Sequence, residues 1–158
     1  MSERSTVASS TDALVVDASV AAKWLLEDEE YADIAALLLR HFAAGRTELV
    51  APGHIRYEVA SAVAVAARGK PPRINPEKGQ RSVERFLALG LRIEDDDALI
   101  LEAYPLVYQY DCALYDAIYL ALAQRLALPL LTADRRLYQR IRHFPNVLWI
   151  GNYSPPDE

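Results

Sequence analysis

The sequence predicts an α/β fold in three layers, a mostly parallel central sheet with helices covering both faces. Short apolar runs rich in β-branched residues alternate with longer stretches whose apolar positions recur at helical spacing, the order that builds a parallel sheet. The runs are apolar along their length rather than alternately apolar and polar, as strands buried on both faces are. A chain of 158 residues can bury one sizeable core but not two, so the elements are expected to share one sheet.

Leu14-Val15-Val16 reads as the first strand; Asp17 closes it, and a helix-like stretch follows from Ser19 to Leu26. Glu29 to Ala44 places Ile34, Leu37, Leu38 and Phe42 on one helical face, with Gly45 as the stop. Thr47 to Ala51, ended by Pro52, is the second strand; Gly53 to Arg68 is a helix that Gly69, Pro71 and Pro72 break. Pro76 suits the start of the next helix, to about Leu89, before Gly90 and a short Leu91-Arg92-Ile93 strand. A helix bent near Pro105 is expected from Asp97 to Tyr110, then a strongly helical stretch from Ala113 to Leu126. Leu128 to Thr132 is a strand, Asp134 to Arg142 a short helix and Val147 to Ile150 the last strand. No internal repeat and no Gly-rich phosphate loop is present, which leaves a nucleotide-binding reading little support.

A hydrophobic fraction of 52% with 25% charged residues is that of a soluble globular protein. The longest apolar run, Val59 to Ala67, falls far short of the ~20 residues a membrane span needs. Residues 1–13, polar and rich in Ser and Thr, lack the layout of a signal peptide and are expected to form a disordered tail; 14–151 form the domain and 152–158 a C-terminal tail. With Cys112 as the single cysteine, the chain builds no internal disulfide and no cysteine-based zinc site, as befits a reducing cytoplasm. The thiol reads as a small buried apolar residue.

The net charge of −5 speaks against nucleic acid until its distribution is considered. Acids concentrate in Glu27 to Glu30 and Glu94 to Asp97, bases in Arg68 to Arg73 and Arg135 to Arg142. Each run is equally well read as solvated surface or as part of a binding face.

Four carboxylates stand apart from these runs. Asp17 closes the first strand, and Asp134 occupies the equivalent place after Leu130-Leu131-Thr132. Open α/β sheets bind ligands beyond the carboxyl ends of their strands, although a helix cap accounts for either acid equally simply. At about 100° per residue, Glu58 falls on the side of its helix shared by Ile55 and Ala62, and Asp116 precedes a stretch apolar on every face. An ionised carboxylate there costs several kcal/mol unless a cation, hydrogen-bond donors or its own protonation answers it. A pocket of such acids, poor in His or Cys, offers hard oxygen ligands suited to Mg²⁺ or Mn²⁺. His41, His54 and His143 show no ligand spacing, and His54, one turn before Glu58, reads as a bystander.

The residues around these acids resemble the PIN-domain family. The matching segments are Val15-Val16-Asp17-Ala18-Ser19 with Lys23-Trp24, then Tyr57-Glu58-Val59, then Leu114 to Ala123, then Leu130-Leu131-Thr132-Ala133-Asp134 with Leu137. Within the family the chain looks most like the VapC-type ribonuclease toxins, over about Leu14 to Ile150. The resemblance implies that Asp17, Glu58, Asp116 and Asp134 converge on Mg²⁺ or Mn²⁺ at the carboxyl edge of the sheet. Ser19 and Thr132 match supporting positions, with an N-cap and a strand-end hydroxyl as the simpler alternatives. It further implies endoribonuclease chemistry by metal-activated water, a homodimer, and a VapB-like antitoxin that places a basic side chain in the acidic pocket.

On this reading RNA would run along a basic groove drawing on Arg68, Lys70, Arg73, Arg135 and Arg136. Two alternatives stay open: a PIN nuclease that processes RNA without a toxin role, and a non-catalytic module that holds a basic peptide. The stretch Tyr104 to Tyr110 with Pro105 inside it departs from the family pattern. Tyr108, Tyr110, Tyr115 and Tyr119 read as core or dimer-contact aromatics rather than base-stacking platforms.

Overall fold

A computed structural model describes residues 12–155. Of the expected tails, 1–13 and 152–158, residues 1–11 and 156–158 lie outside the described residues, while Asp12 and Ala13 belong to the first strand and Asn152 ends a 3-10 turn. Five strands form one sheet, β1 (Asp12–Val16), β2 (Thr47–Ala51), β3 (Arg92–Ile93), β4 (Leu130–Thr132) and β5 (Val147–Trp149), in the order β3-β2-β1-β4-β5. Every pairing is parallel, with Val15 beside both Val50 and Leu130. The predicted α/β class with a parallel sheet is what the chain adopts.

The helices are α1 (Ala18–Ala21), α2 (Ala32–Ala43), α3 (Ile55–Arg68), α4 (Pro76–Leu87), α5 (Asp97–Tyr110), α6 (Leu114–Leu126) and α7 (Arg135–Ile141). The helix expected from Ser19 to Leu26 is shorter than its pattern: α1 passes into a 3-10 turn at Ala22–Trp24. Tertiary contacts draw the chain off the helical path, since the Trp24 indole donates to the Ala35 carbonyl at 2.9 Å and packs on Phe86. The helix expected from Glu29 begins instead at Ala32, after Tyr31 in the left-handed region with φ 63°. Pro105 sits inside α5, which runs unbroken from Asp97 to Tyr110.

β1, β2 and β4 carry the core, with Val15, Val16, Leu49, Val50, Ala51, Leu130 and Leu131 all fully buried. The edge strands differ, β3 being exposed. On α6 every residue from Ala117 to Ala123 is buried, which explains why that helix is apolar on all sides. α3 packs against α1 and α4, and α5 against α6; right-handed crossovers put these two groups on opposite faces of the sheet. From β1 the chain builds outward through β2 to β3, then returns across β1 to β4. The sheet therefore switches direction between β1 and β4, the place where an open α/β sheet leaves a crevice.

Candidate active site

That crevice contains Asp17. The residue follows the last position of β1, and its side chain caps α1 by accepting the Val20 amide at 3.2 Å. It is also 3% exposed, the most buried acid among the described residues. Two hydroxyls answer it: Ser19 Oγ donates to Oδ1 at 2.5 Å and Thr132 Oγ1 to Oδ2 at 2.5 Å. Those hydroxyl oxygens accept in turn from the amides of Ala133 at 2.9 Å and Asp134 at 3.1 Å. The ends of β1 and β4 are thus joined through one carboxylate. Burial nevertheless pushes the Asp17 carboxyl up to about 6; the hydroxyl and amide bonds oppose the rise, and the charge of Asp116 adds to it.

The other acids arrive on helices whose first turns meet this edge. α3 leaves the carboxyl end of β2, so Glu58 in its first turn lies beside the crevice. α6 leads into the start of β4 through a short connection, which puts its own first turn, with Asp116, at the same edge. Asp134 caps α7 by accepting the Leu137 amide at 3.0 Å. All four carboxylates line one open cleft of about 380 Å³, together with Ser19, Lys23, Glu29 and Tyr119.

The physics that singled out these acids in the sequence is redistributed in the fold. Glu58 is half-buried rather than enclosed, because the Ala and Val face of α3 is partly solvent-facing: Val65 is 65% exposed and Tyr57 74%. Asp116 is also half-buried and Asp134 is exposed. The cost of enclosing a charge falls hardest on Asp17, whose position in the sequence argued only for a cap or an edge.

Asp116 is the least satisfied of the set. Its carboxylate forms no hydrogen bond or ion pair among the described residues. Burial first, then the charges of Asp134 and Glu58, raise its pKa to about 6. Glu58 is held from two sides, by the Tyr119 hydroxyl donating to Oε1 at 2.9 Å and by His54 Nε2 at 3.1 Å from the same oxygen. His54 Nε2 also faces the Tyr115 carbonyl at 3.0 Å, and its ring packs edge-on against Tyr119 at 4.7 Å. Both neighbours of that nitrogen are acceptors, so Nε2 carries the hydrogen. Tyr119 is buried, and burial together with the charges of Glu58 and Asp17 holds its phenol far above the ordinary value.

The donor set suits a hard divalent cation: carboxylates only, mutual repulsion that a cation would relieve, and one acid without a partner. Among the described residues no three His, Cys, Asp or Glu side chains form a ready-made ligand cluster. The cleft therefore offers carboxylates as neighbours rather than as a closed cage, an arrangement compatible with Mg²⁺, which commonly takes one or two carboxylates and keeps waters.

Sequence reasoning gave His54 too small a place and missed Lys23, Glu29 and Tyr119. Tyr119 had a usable signal, its position three residues after Asp116 on the same helical face; Lys23 had only its place in the family-like Lys23-Trp24 segment, and Glu29 had none. The basic residues do not gather at the cleft. Arg73 forms a two-pronged pair with Asp28 at 2.8 and 2.9 Å and reaches Glu29 at 3.1 Å. Arg135 lies over the Trp149 ring and 3.9 Å from Glu30. Arg68, Lys70 and Arg136 are exposed, and none of the five lines the cleft. Part of the acidic run 27–30 thus serves as counter-charge to Arg73 and Arg135. Cys112 is buried, as expected, and burial raises its thiol pKa.

The family model described as PIN domain matches residues 14–142. Among proteins of curated function, none matches the chain in sequence. Solved structures resemble it at low identity. A protein from Pyrobaculum aerophilum superposes with a TM-score of 0.64 at 19% identity, over 89% of this chain and 92% of that one. The VapC20 toxin of Mycobacterium tuberculosis, described as cleaving the sarcin-ricin loop, gives 0.60 at 16%, over 80% and 93%. VapBC2 from Rickettsia felis, bound to a DNA fragment from its promoter, gives 0.60 at 13%, over 87% and 96%. At these identities the likeness is one of fold.

Proposed function

The chain belongs to the PIN-domain family, and from that premise we propose that it is a divalent-metal-dependent endoribonuclease, the toxin of a toxin-antitoxin pair. The observation that carries the proposal is the acidic cleft at the switch between β1 and β4, where Asp17 and Asp116 are held at pKa values of about 6. Both would be mostly ionised near neutral pH and ready to take a cation. Bound Mg²⁺ or Mn²⁺ would neutralise the phosphodiester and activate water for its hydrolysis.

The chain's own residues divide the remaining work. Ser19 and Thr132 fix the Asp17 carboxylate in one orientation. Tyr119 and His54 do the same for Glu58. Asp116 faces the cleft free to turn toward a ligand, and Asp134 both ends the site and caps α7. In this reading Asp17, Glu58, Asp116 and Asp134 are the catalytic and metal-binding residues.

The similarity to VapC20 and to toxin-antitoxin complexes supports the toxin role. An antitoxin would act by placing Arg or Lys among the carboxylates, where a cationic group competes with metal. A homodimer is supported by the apolar surface of α5, where Leu101, Tyr104 and Tyr108 are all exposed. A cytoplasmic site of action fits this role; no helix among the described residues is long and apolar enough to cross a membrane. Purified chain, stripped of any antitoxin, should cut an unstructured RNA internally on addition of Mg²⁺ or Mn²⁺ and not in EDTA. Binding of Mn²⁺ without cleavage under any divalent ion would instead favour the peptide-holding module.

A further inference from the structure

The cleft holds one cation that the carboxylate set and the basic stretches leave unexplained. Lys23 lies in the 3-10 turn after α1, its side chain only 9% exposed, and it lines the cleft with Asp17, Glu58, Asp116 and Asp134. Among the described residues it is the only Lys or Arg that does so. Its ammonium stands 3.6 Å from Glu29 Oε1, too far for a hydrogen bond. Glu29 is meanwhile drawn toward Arg73 at 3.1 Å. No other partner for the ammonium exists among the described residues.

The Lys23 stem is buried while its ammonium, without a hydrogen bond among the described residues, opens on the cleft, where an incoming anion with exposed oxygens would take the place of water. Among anions, a phosphodiester suits it best: Lys presents a compact point charge on a stem that can follow a flexible backbone. A cleft of five carboxylates, counting Glu29, also needs a fixed positive point if a polyanion is to enter in one register. We propose that Lys23 is a phosphate-binding residue, receiving a non-bridging oxygen of the RNA backbone in the acidic cleft, with Glu29 holding the ammonium in place until the strand arrives. This rests on the ribonuclease reading and adds to it the point that positions the strand. The rival account is that Lys23 only offsets repulsion among the carboxylates.

The test is binding of a labelled single-stranded RNA to the full chain, with Ca²⁺ in place of Mg²⁺, across a range of salt concentrations. Lys23→Met should weaken binding roughly tenfold, the effect of losing one hydrogen-bonded charge. It should also lower the slope of log affinity against log salt by about 0.7, one phosphate contact on a single strand. In the cleavage assay KM should rise more than kcat falls, and Lys23→Arg should restore most of the loss. Where Lys23→Met fails to fold, Lys23→Gln carries the same comparison. RNA affinity and salt slope equal to wild type, or an effect confined to Mn²⁺ affinity, overturns the proposal while leaving the ribonuclease reading intact. A wild-type chain that neither binds nor cuts RNA overturns both.

Discussion

Replacing Asp17 with Asn should make the protein more stable above pH 6 while disabling the cleft. In the fold the Asp17 carboxyl titrates at about 6 against an ordinary 3.8, a rise of roughly two pH units, or ~3 kcal/mol at about 1.4 kcal/mol per unit. Because the folded-state value is the raised one, the native chain holds this proton more tightly than the unfolded chain. The stabilisation is complete below about pH 4 and is lost as pH climbs toward 6, leaving a constant penalty above. A neutral Asn is spared that penalty. It can still accept the Val20 amide, and the Thr132 hydroxyl, now a donor to Asp17, can turn to accept from the new amide. Weaker bonds from the two hydroxyls take back part of the gain, so the expected increment at pH 8 is about 1 to 3 kcal/mol. Urea denaturation in EDTA, at several values between pH 4 and pH 8, measures it. The increment should shrink to nearly nothing at pH 4. An increment that is absent at pH 8, or equal at the two ends, would refute the reasoning that burial governs Asp17.

Substitutions at three further positions separate structural from chemical roles. Asp134→Ala should cost about 1 kcal/mol through loss of the α7 cap, whereas Asp134→Ser keeps a capping oxygen and most of the stability; both should lose RNA cleavage if the carboxylate is a ligand. Tyr119→Phe removes the donor to Glu58 and should lower stability by about 1 kcal/mol; calorimetry should also show weaker Mn²⁺ binding, which a merely structural tyrosine would not affect. Leu120→Ala, at a fully buried position of α6, should cost about 2 to 5 kcal/mol in urea titrations with the cleavage site itself unchanged.

The class of fold was legible because five apolar runs separated by helical periods leave a parallel sheet as the economical arrangement. Strand order was not, since Leu14-Val15-Val16 and Leu130-Leu131-Thr132 look alike whether or not they are neighbours. The switch between β1 and β4, which creates the cleft, is a long-range fact. So are the interruptions near Trp24 and Tyr31: each follows from a ring packing on a distant partner, Phe86 in one case and Trp149 in the other. Among the acids, periodicity placed Asp116 and Glu58 near an apolar face but overstated their enclosure. The alanines and valines of α3 are apolar without all being buried, so composition alone could not tell a core face from a surface one. Asp17 had the opposite fate. A cap was the plain reading of its position, and it does cap α1, yet the same atom set also bridges two strand ends. Lys23 was visible only as part of a family-like segment; its place in the cleft was not, because only folding brings its turn beside Asp116 and Asp134, more than ninety positions away.

Single-turnover cleavage of an end-labelled RNA by wild-type chain and by Asp116→Asn, each shown by circular dichroism to be folded, tests the central claim most directly. Internal products should appear for wild type with Mg²⁺ or Mn²⁺, and for Asp116→Asn they should fall by at least about a hundredfold, the scale of losing an electrostatic element of the site. Equal cleavage by the two proteins, or cleavage by wild type that persists in EDTA, would contradict an active site built on this acidic cleft.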